Sequence, residues 1–276
     1  MPLFRRPDGI PIENLGFLRR MMPYLMPTRN EAFVLFAQEI DAAPSLEFLA
    51  ELNRSRPEGR RVTQFHLLLR ALTRVFSEFP RLNRFVAGGR HYQRIGIWLS
   101  FSGKTSLDAD APVYARKMLF SAEESLEAMV DKILGTISEG RSGKETTSDK
   151  EVKLIMRLPG LLRRVIVRVG RWLDALGVMP AAMIEQDPMY ASAFVANLGS
   201  VGLDAAYHHL FEYGTTSIFV TMGRLHRAPF VREDGSVTSR EVFVLKYTYD
   251  ERTEDGFYCA RALERLKHLL EHPAEL

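Results

Sequence analysis

One cysteine in 276 residues, Cys259, leaves no partner for an internal disulfide, so the chain needs no oxidising compartment to fold. It stands two residues past Asp255-Gly256-Phe257, on the apolar face of a helical pattern, where core packing is expected rather than a reactive thiol. No apolar run approaches the roughly 20 residues needed to cross a bilayer. The start, Met1 to Gly9, lacks the uninterrupted apolar region and small-residue cleavage site of a secretory signal, so a cytoplasmic protein is expected. There is no basic-aromatic stripe, no zinc-finger spacing and no glycine-rich phosphate loop, and a net charge of +3 does not itself call for nucleic acid. His208 and His209 have no third ligand at useful spacing, since His226 lies beyond a strand-like run, so no metal is expected. Asp108 and Asp110 sit in a polar loop and read as solvated. Repeats and low-complexity segments are also missing.

What is present is ordinary globular material, 46% hydrophobic and 26% charged, long enough to bury a sizeable core. Residues 1–30, interrupted by Pro11, Pro23 and Pro27, read as an N-terminal arm, and 31–276 as one domain. Phe33–Asp41 is strand-like, and Ser45 is placed as the cap of a short helix. Thr63 opens a stronger one, with Phe65, Leu68, Leu72 and Phe76 at three- and four-residue steps, stopped by Pro80. Asn83–Val86 and His91–Phe101 read as a strand pair joined at Gly88-Gly89. A helix is predicted over Phe120–Ile137, with Ser121 and Glu124 forming a capping box. Residues 138–150 are polar and read as a loop. Strands are predicted at Ala191–Asn197, Thr216–Met222 and Glu241–Tyr249, and a last helix over Phe257–Glu271. Loose alternation of strands and helices implies a mixed sheet with helices packed on it.

The most informative stretch is Tyr249-Asp250-Glu251-Arg252-Thr253-Glu254-Asp255-Gly256, a charged turn between the last strand and the last helix. Three other segments stand in order before it: Pro80-Arg81-Leu82-Asn83 closing a helix, Arg94-Ile95-Gly96-Ile97, and Ala193-Phe194-Val195-Ala196-Asn197-Leu198-Gly199-Ser200-Val201-Gly202. Together they resemble the catalytic domain of the 2-oxo acid dehydrogenase (dihydrolipoyl) acyltransferases and chloramphenicol acetyltransferases, over nearly all of residues 30–273. That family's turn reads Asp-His-Arg-x-x-Asp-Gly, and its earlier segment has Ser before Asn-Leu-Gly.

The resemblance implies an α/β fold of the chloramphenicol-acetyltransferase type: a two-layer sandwich, a mixed β-sheet covered by helices. It implies a homotrimer or a multiple of three, with active sites between subunits and coenzyme A or an acyl-CoA as co-substrate. No lipoyl domain is expected before the body. In the family the turn's His is the general base, and the Ser of a neighbouring subunit holds the oxyanion. Here those positions are Glu251 and Ala196. An ordinary Glu ionises near 4.3 and is a weak base at neutral pH, and Ala has nothing to donate. Asp255 is expected to be structural, held by an Arg such as Arg29, and Asn197 to shape a tight turn. The sequence therefore implies an acyl-CoA-dependent acyltransferase relative with altered or lost catalysis. The alternative is a non-catalytic trimeric scaffold or binding module of the same fold, lipid- or membrane-associated.

His208 and His209, with Arg252, are the substrate-binding candidates, and the His pair also offers a replacement base. A second feature is a basic amphipathic run over 161–176. It places Leu161, Leu162, Val165, Ile166, Val169, Trp172, Leu173 and Leu176 on one face and Arg163, Arg164, Arg168 and Arg171 on the other. Three readings stand: a core helix with a solvated basic face, a membrane-surface contact, or a site for CoA phosphates.

Overall fold

The computed structural model describes residues 6–276 apart from 107, 109, 144, 145 and 233. The elements in order are β1 (Gly9–Pro11), α1 (Phe17–Leu25), β2 (Phe33–Asp41), α2 (Ala43–Leu52), α3 (Gln64–Glu78), β3 (Arg84–Ala87), β4 (Arg90–Arg94), β5 (Ile97–Lys104) and β6 (Val113–Phe120). There follow α4 (Leu126–Arg141), α5 (Thr147–Met156), α6 (Gly160–Leu176), α7 (Ala181–Gln186), β7 (Ala193–Asn197), β8 (Ile218–Met222), β9 (His226–Val231), β10 (Val237–Asp250) and α8 (Gly256–Glu271).

β10 is the spine. Its alternation of Phe243, Leu245, Tyr247 and Tyr249 puts four large buried side chains on one face. Its edges pair with β2 on one side and with β8 and β9 on the other. The main sheet runs β2-β10-β8-β7-β5-β6, with the β5–β7 and β7–β8 pairings parallel and the others antiparallel. It is a mixed sheet, as expected. α3 and α8 cover the face that carries Leu99, Val220 and Leu245, bringing Leu68, Leu72, Leu266 and Leu269 onto it. Burying each such side chain is worth about 1.5–3 kcal/mol, which makes this layer the main source of stability. α3 begins where the sequence indicates, because Thr63 and His66 satisfy each other's backbone N–H groups, and it ends before Pro80.

Beside the main sheet lies a small one, β1-β4-β3. The N-terminal segment is thus tied to the body over its described part: Gly9 to Pro11 pair with β4, and Arg6 and Asp8 form a buried ion pair. Residues 1–5 of the expected arm lie outside the described residues.

Several boundaries differ from the sequence reading. The helix expected from Phe120 begins at Leu126, capped by Ser125, whose hydroxyl accepts from the Ala128 N–H. Val113–Phe120 is instead a strand, with Tyr114, Arg116, Met118 and Phe120 buried at every second position. Arg116 hides that alternation in sequence; its charge is met by Asp149 at 3.3 Å. Ser45 does not cap α2, which starts at Ala43; its hydroxyl donates to the Ala42 carbonyl inside the first turn. His91–Phe101 divides between two sheets. The polar stretch 138–150 is largely helical, shared by the end of α4 and the start of α5, with 144 and 145 outside the described residues.

The reading of α6 as a core helix is overturned. Leu161, Val165 and Trp172 are 74%, 50% and 61% exposed, whereas Asp174, on the opposite side, is buried against Arg6. Its C-terminal end is docked most closely: the Ala175 carbonyl comes so near to Gly88 that a Cβ there would lie 2.0 Å away. That approach, with φ +55° at Gly88, requires glycine.

Candidate active site

Strand β10 delivers the charged turn to the edge of the core, and the turn is locked from within. Arg252 Nε and Nη2 each lie 2.8 Å from one Asp250 carboxylate oxygen, a two-pronged pair 3% and 0% exposed. Arg252 Nη1 donates to the carbonyls of Met26 and Pro27 at 3.0 and 3.1 Å. The Arg252 carbonyl in turn accepts from His91 Nε2 at 2.8 Å. Burial pushes the His91 pKa down, which favours the neutral ring that this single N–H contact needs. The Thr253 hydroxyl donates to the Asp250 carbonyl at 2.8 Å and lies 2.9 Å from the Tyr249 hydroxyl. Arg252 is therefore consumed within the chain, and the substrate-binding role expected of it has little donor capacity left.

Asp255 also departs from expectation. It caps α8, its Oδ1 accepting from the Tyr258 N–H at 2.9 Å, and that bond holds its carboxyl below the usual carboxylate range. Arg29 is not its partner. The Arg29 guanidinium lies instead among the carbonyls of Phe211, Glu212 and Gly214. The acid that sequence reasoning missed is Glu254, 4% exposed, with Arg84 at 2.7 Å, Arg81 at 3.4 Å and Arg19 at 3.9 Å. Its partners are remote in sequence, so no local pattern could have marked it.

Glu251 is different from all its neighbours. Its N–H donates to the Ala32 carbonyl at 3.0 Å and its own carbonyl accepts from Arg19 Nη1 at 2.6 Å, so its backbone is fixed at both ends. Its half-buried carboxylate has no hydrogen-bond or ion-pair partner among the described residues.

Ala196 and Asn197 end β7. Asn197 Oδ1 accepts from the Ser200 N–H at 3.1 Å, and its carbonyl from the Ser200 hydroxyl at 2.7 Å. A Cβ on Gly199 would meet the Gly223 carbonyl at 2.6 Å, so Asn-Leu-Gly is the tight turn that was expected. Ala196 pairs with Thr221, and Thr221 with Lys246, five residues before Glu251 on β10. At about 3.3 Å per residue, Ala196 and Glu251 of one chain stand roughly 17 Å apart along the strands. A single chain does not bring them together.

His208 lies on the same sheet face as Ala196. Its ring stacks on Phe219 with centroids 3.9 Å apart, and Phe219 stacks on Phe194 at 5.0 Å, with Ala196 packed beside them. His208 Nδ1 donates to the His209 carbonyl at 2.7 Å, which leaves Nε2 as the unprotonated nitrogen. Burial lowers the pKa of His208 and keeps it neutral. His209 is exposed.

A mixed sheet with helices on its core face and a charged turn between the last strand and last helix define a chloramphenicol-acetyltransferase-like fold. Residues 183–276 match the family model of the 2-oxoacid dehydrogenases acyltransferase catalytic domain. The chain is 23% identical over 236 residues to the lipoamide acyltransferase component of the branched-chain alpha-keto acid dehydrogenase complex of Bacillus subtilis (strain 168). That alignment covers 84% of this chain and 45% of the relative, so the chain spans about half of that protein's length. Among solved structures it resembles a probable dihydrolipoamide acetyltransferase from Listeria monocytogenes 4b F2365, with TM-score 0.63 and 17% identity over 96% of this chain and 95% of that one. It resembles the cubic core of a pyruvate dehydrogenase multienzyme complex at TM-score 0.61 and 17% identity, covering 94% and 91%. A chloramphenicol acetyltransferase follows at 0.54 and 11%, covering 95% and 99%. The family resemblance read from the turn and from Asn-Leu-Gly therefore holds in fold along the chain, with a family-model match over its last third and a 23% identical relative over 84% of it.

Proposed function

We propose that this protein is an acyl-CoA-binding relative of the dihydrolipoyl acyltransferases in which the family's transfer of an acyl group to a thiol or hydroxyl is lost or strongly reduced. One observation carries the reading. The turn that presents a base in the family keeps its Asp250, Arg252, Asp255 and Gly256 here, yet it presents the carboxylate of Glu251, which has no partner among the described residues. In that transfer the acceptor gives up its proton, its sulfur or oxygen attacks the thioester carbonyl, and the CoA thiolate leaves. A general base typically contributes 10²–10⁴-fold. Loss of one oxyanion donor, as at Ala196, costs about 2.7–4 kcal/mol. Because Ala196 and Glu251 stand roughly 17 Å apart in one chain, a site using both positions draws them from two chains. This supports a homotrimer or a multiple of three, as does the likeness to a cubic core, a symmetry that contains threefold axes.

The test restores both groups. Glu251→His with Ala196→Ser should gain acetyl transfer from acetyl-CoA to dihydrolipoamide while the parent shows almost none, and light scattering should give a multiple of three chains. A parent that turns over well and fails in Glu251→Gln would make Glu251 a working base and sink the reading. A second reading rests on His208, whose neutral ring keeps Nε2 free beside Ala196. Activity in the parent that survives Glu251→Gln but disappears in His208→Gln would assign the base there.

A further inference from the structure

Helix α6 has its polarity reversed relative to the body. At 100° per residue, its apolar positions from Leu161 to Ile166 fall in one arc of roughly 140°. The contacts with the rest of the protein lie on the other side, where Val167 is nevertheless 47% exposed. Asp174 is buried against Arg6, Gly170 lies against Met179 and Arg163 reaches the sulfur of Met156. The apolar arc accordingly points away from the molecule: Leu161, Leu162, Val165, Ile166, Val169 and Trp172 are all exposed. On its margin stand Arg164, Arg168 and Arg171, exposed and without an ion-pair partner among the described residues. The preceding helix continues the same character, with Val152, Leu154 and Met156 exposed near Lys150 and Arg157.

We propose that α6 is an interfacial helix that docks this protein on an anionic lipid surface, burying the Leu161–Trp172 arc among acyl chains while Arg164, Arg168 and Arg171 reach the headgroup phosphates. No helix among the described residues is long and apolar enough to cross a membrane, so the contact lies in the plane of the interface. Charge selects this occupant over a second copy of the chain. Self-association through the arc would crowd two sets of unpaired arginines along one seam, and like charges there are unfavourable. An anionic headgroup layer satisfies them instead, and an exposed Trp beside arginines suits the boundary between headgroups and acyl chains.

The test uses the 276-residue chain and vesicles of phosphatidylcholine, alone or mixed with phosphatidylglycerol. We expect co-sedimentation with the mixed vesicles, weaker as salt rises, and little with phosphatidylcholine alone. The blue shift of Trp emission on binding should disappear in Trp172→Phe. Arg164→Gln with Arg168→Gln should weaken binding roughly 30-fold, at about five-fold per arginine. Val169→Asp should abolish binding with little change in melting temperature, because that side chain is exposed. Folded protein that ignores both kinds of vesicle would overturn the proposal, as would binding indifferent to the arginines. Concentration-dependent self-association cured by Val169→Asp would instead assign the face to a second copy and also overturn it.

Discussion

Replacing Arg252 by Leu tests whether the turn is held by its internal ion pair. The substitution leaves the Asp250 carboxylate, 0% exposed, without its two 2.8 Å donors, and takes the Nη1 donor from the Met26 and Pro27 carbonyls. Breaking a buried pair by removing one partner costs about 3–5 kcal/mol, because an uncompensated charge stays in a dry site. For a chain of this size that corresponds to a fall in Tm of roughly 6–20 °C. Arg252→Lys should lie between the parent and Leu, since an ammonium keeps the charge but not the planar fork that meets both oxygens. Asp250→Asn combined with Arg252→Leu should recover part of the loss, because the orphaned charge is gone, with a coupling of about 1–3 kcal/mol. Urea unfolding followed by circular dichroism, with an unchanged m-value, measures these proteins together with the single Asp250→Asn that the coupling requires. A loss below about 1 kcal/mol in Arg252→Leu, the size of an ordinary substitution, would refute the claim that this pair fixes the turn.

Asp255→Ala should cost about 1 kcal/mol through loss of the α8 cap, whereas Glu251→Gln should stay within about 0.5 kcal/mol; the reversed order in thermal melts would mean the two acids have been assigned the wrong roles. His66 is buried and its pKa falls from 6.5 to about 4. The unfolded chain therefore binds the extra proton first as pH drops, so this group's stabilisation is full above pH 6.5 and is lost on going from 6.5 towards 4. His66→Gln, which keeps a side chain able to accept from the Thr63 N–H, should remove up to about 3 kcal/mol of that acid sensitivity in pH-dependent unfolding.

The turn and the helix after it were legible because the period switches from two to 3.6 across a charged break, and because Asp-Gly at a helix start has a capping role. The Asn-Leu-Gly turn was legible for a similar local reason. Strand β6 was not, since Arg116 occupies a core-facing position and its compensation, Asp149, lies 33 residues on. Glu254 escaped for the same cause, its arginines being at 19, 81 and 84. In α6 the apolar stripe was read correctly, and of the three readings offered for it the core one fails. Periodicity reports that one face seeks an apolar neighbour, and it is silent on whether that neighbour is part of the same chain. Strand β9 was missed, its residues being mostly exposed with Pro229 among them.

The anchoring of α6 mainly through its last turn has a mechanical consequence. The helix is a cantilever: Arg6 grips the Asp174 carbonyl at 2.7 Å and Gly88 receives Ala175, while nearly all side chains from Gly160 to Val169 stay exposed. A load applied to the exposed N-terminal half is resisted mainly by the last turns of the helix and their anchor, with Arg163 and Met156 as a lighter contact to α5. The rod can tilt, fray at its first turns or change its angle to the body without breaking a contact in the main core. Position 251 belongs to the rigid half of that anatomy and α6 to the compliant half. Whatever α6 rests on can therefore vary in shape while the turn holds still.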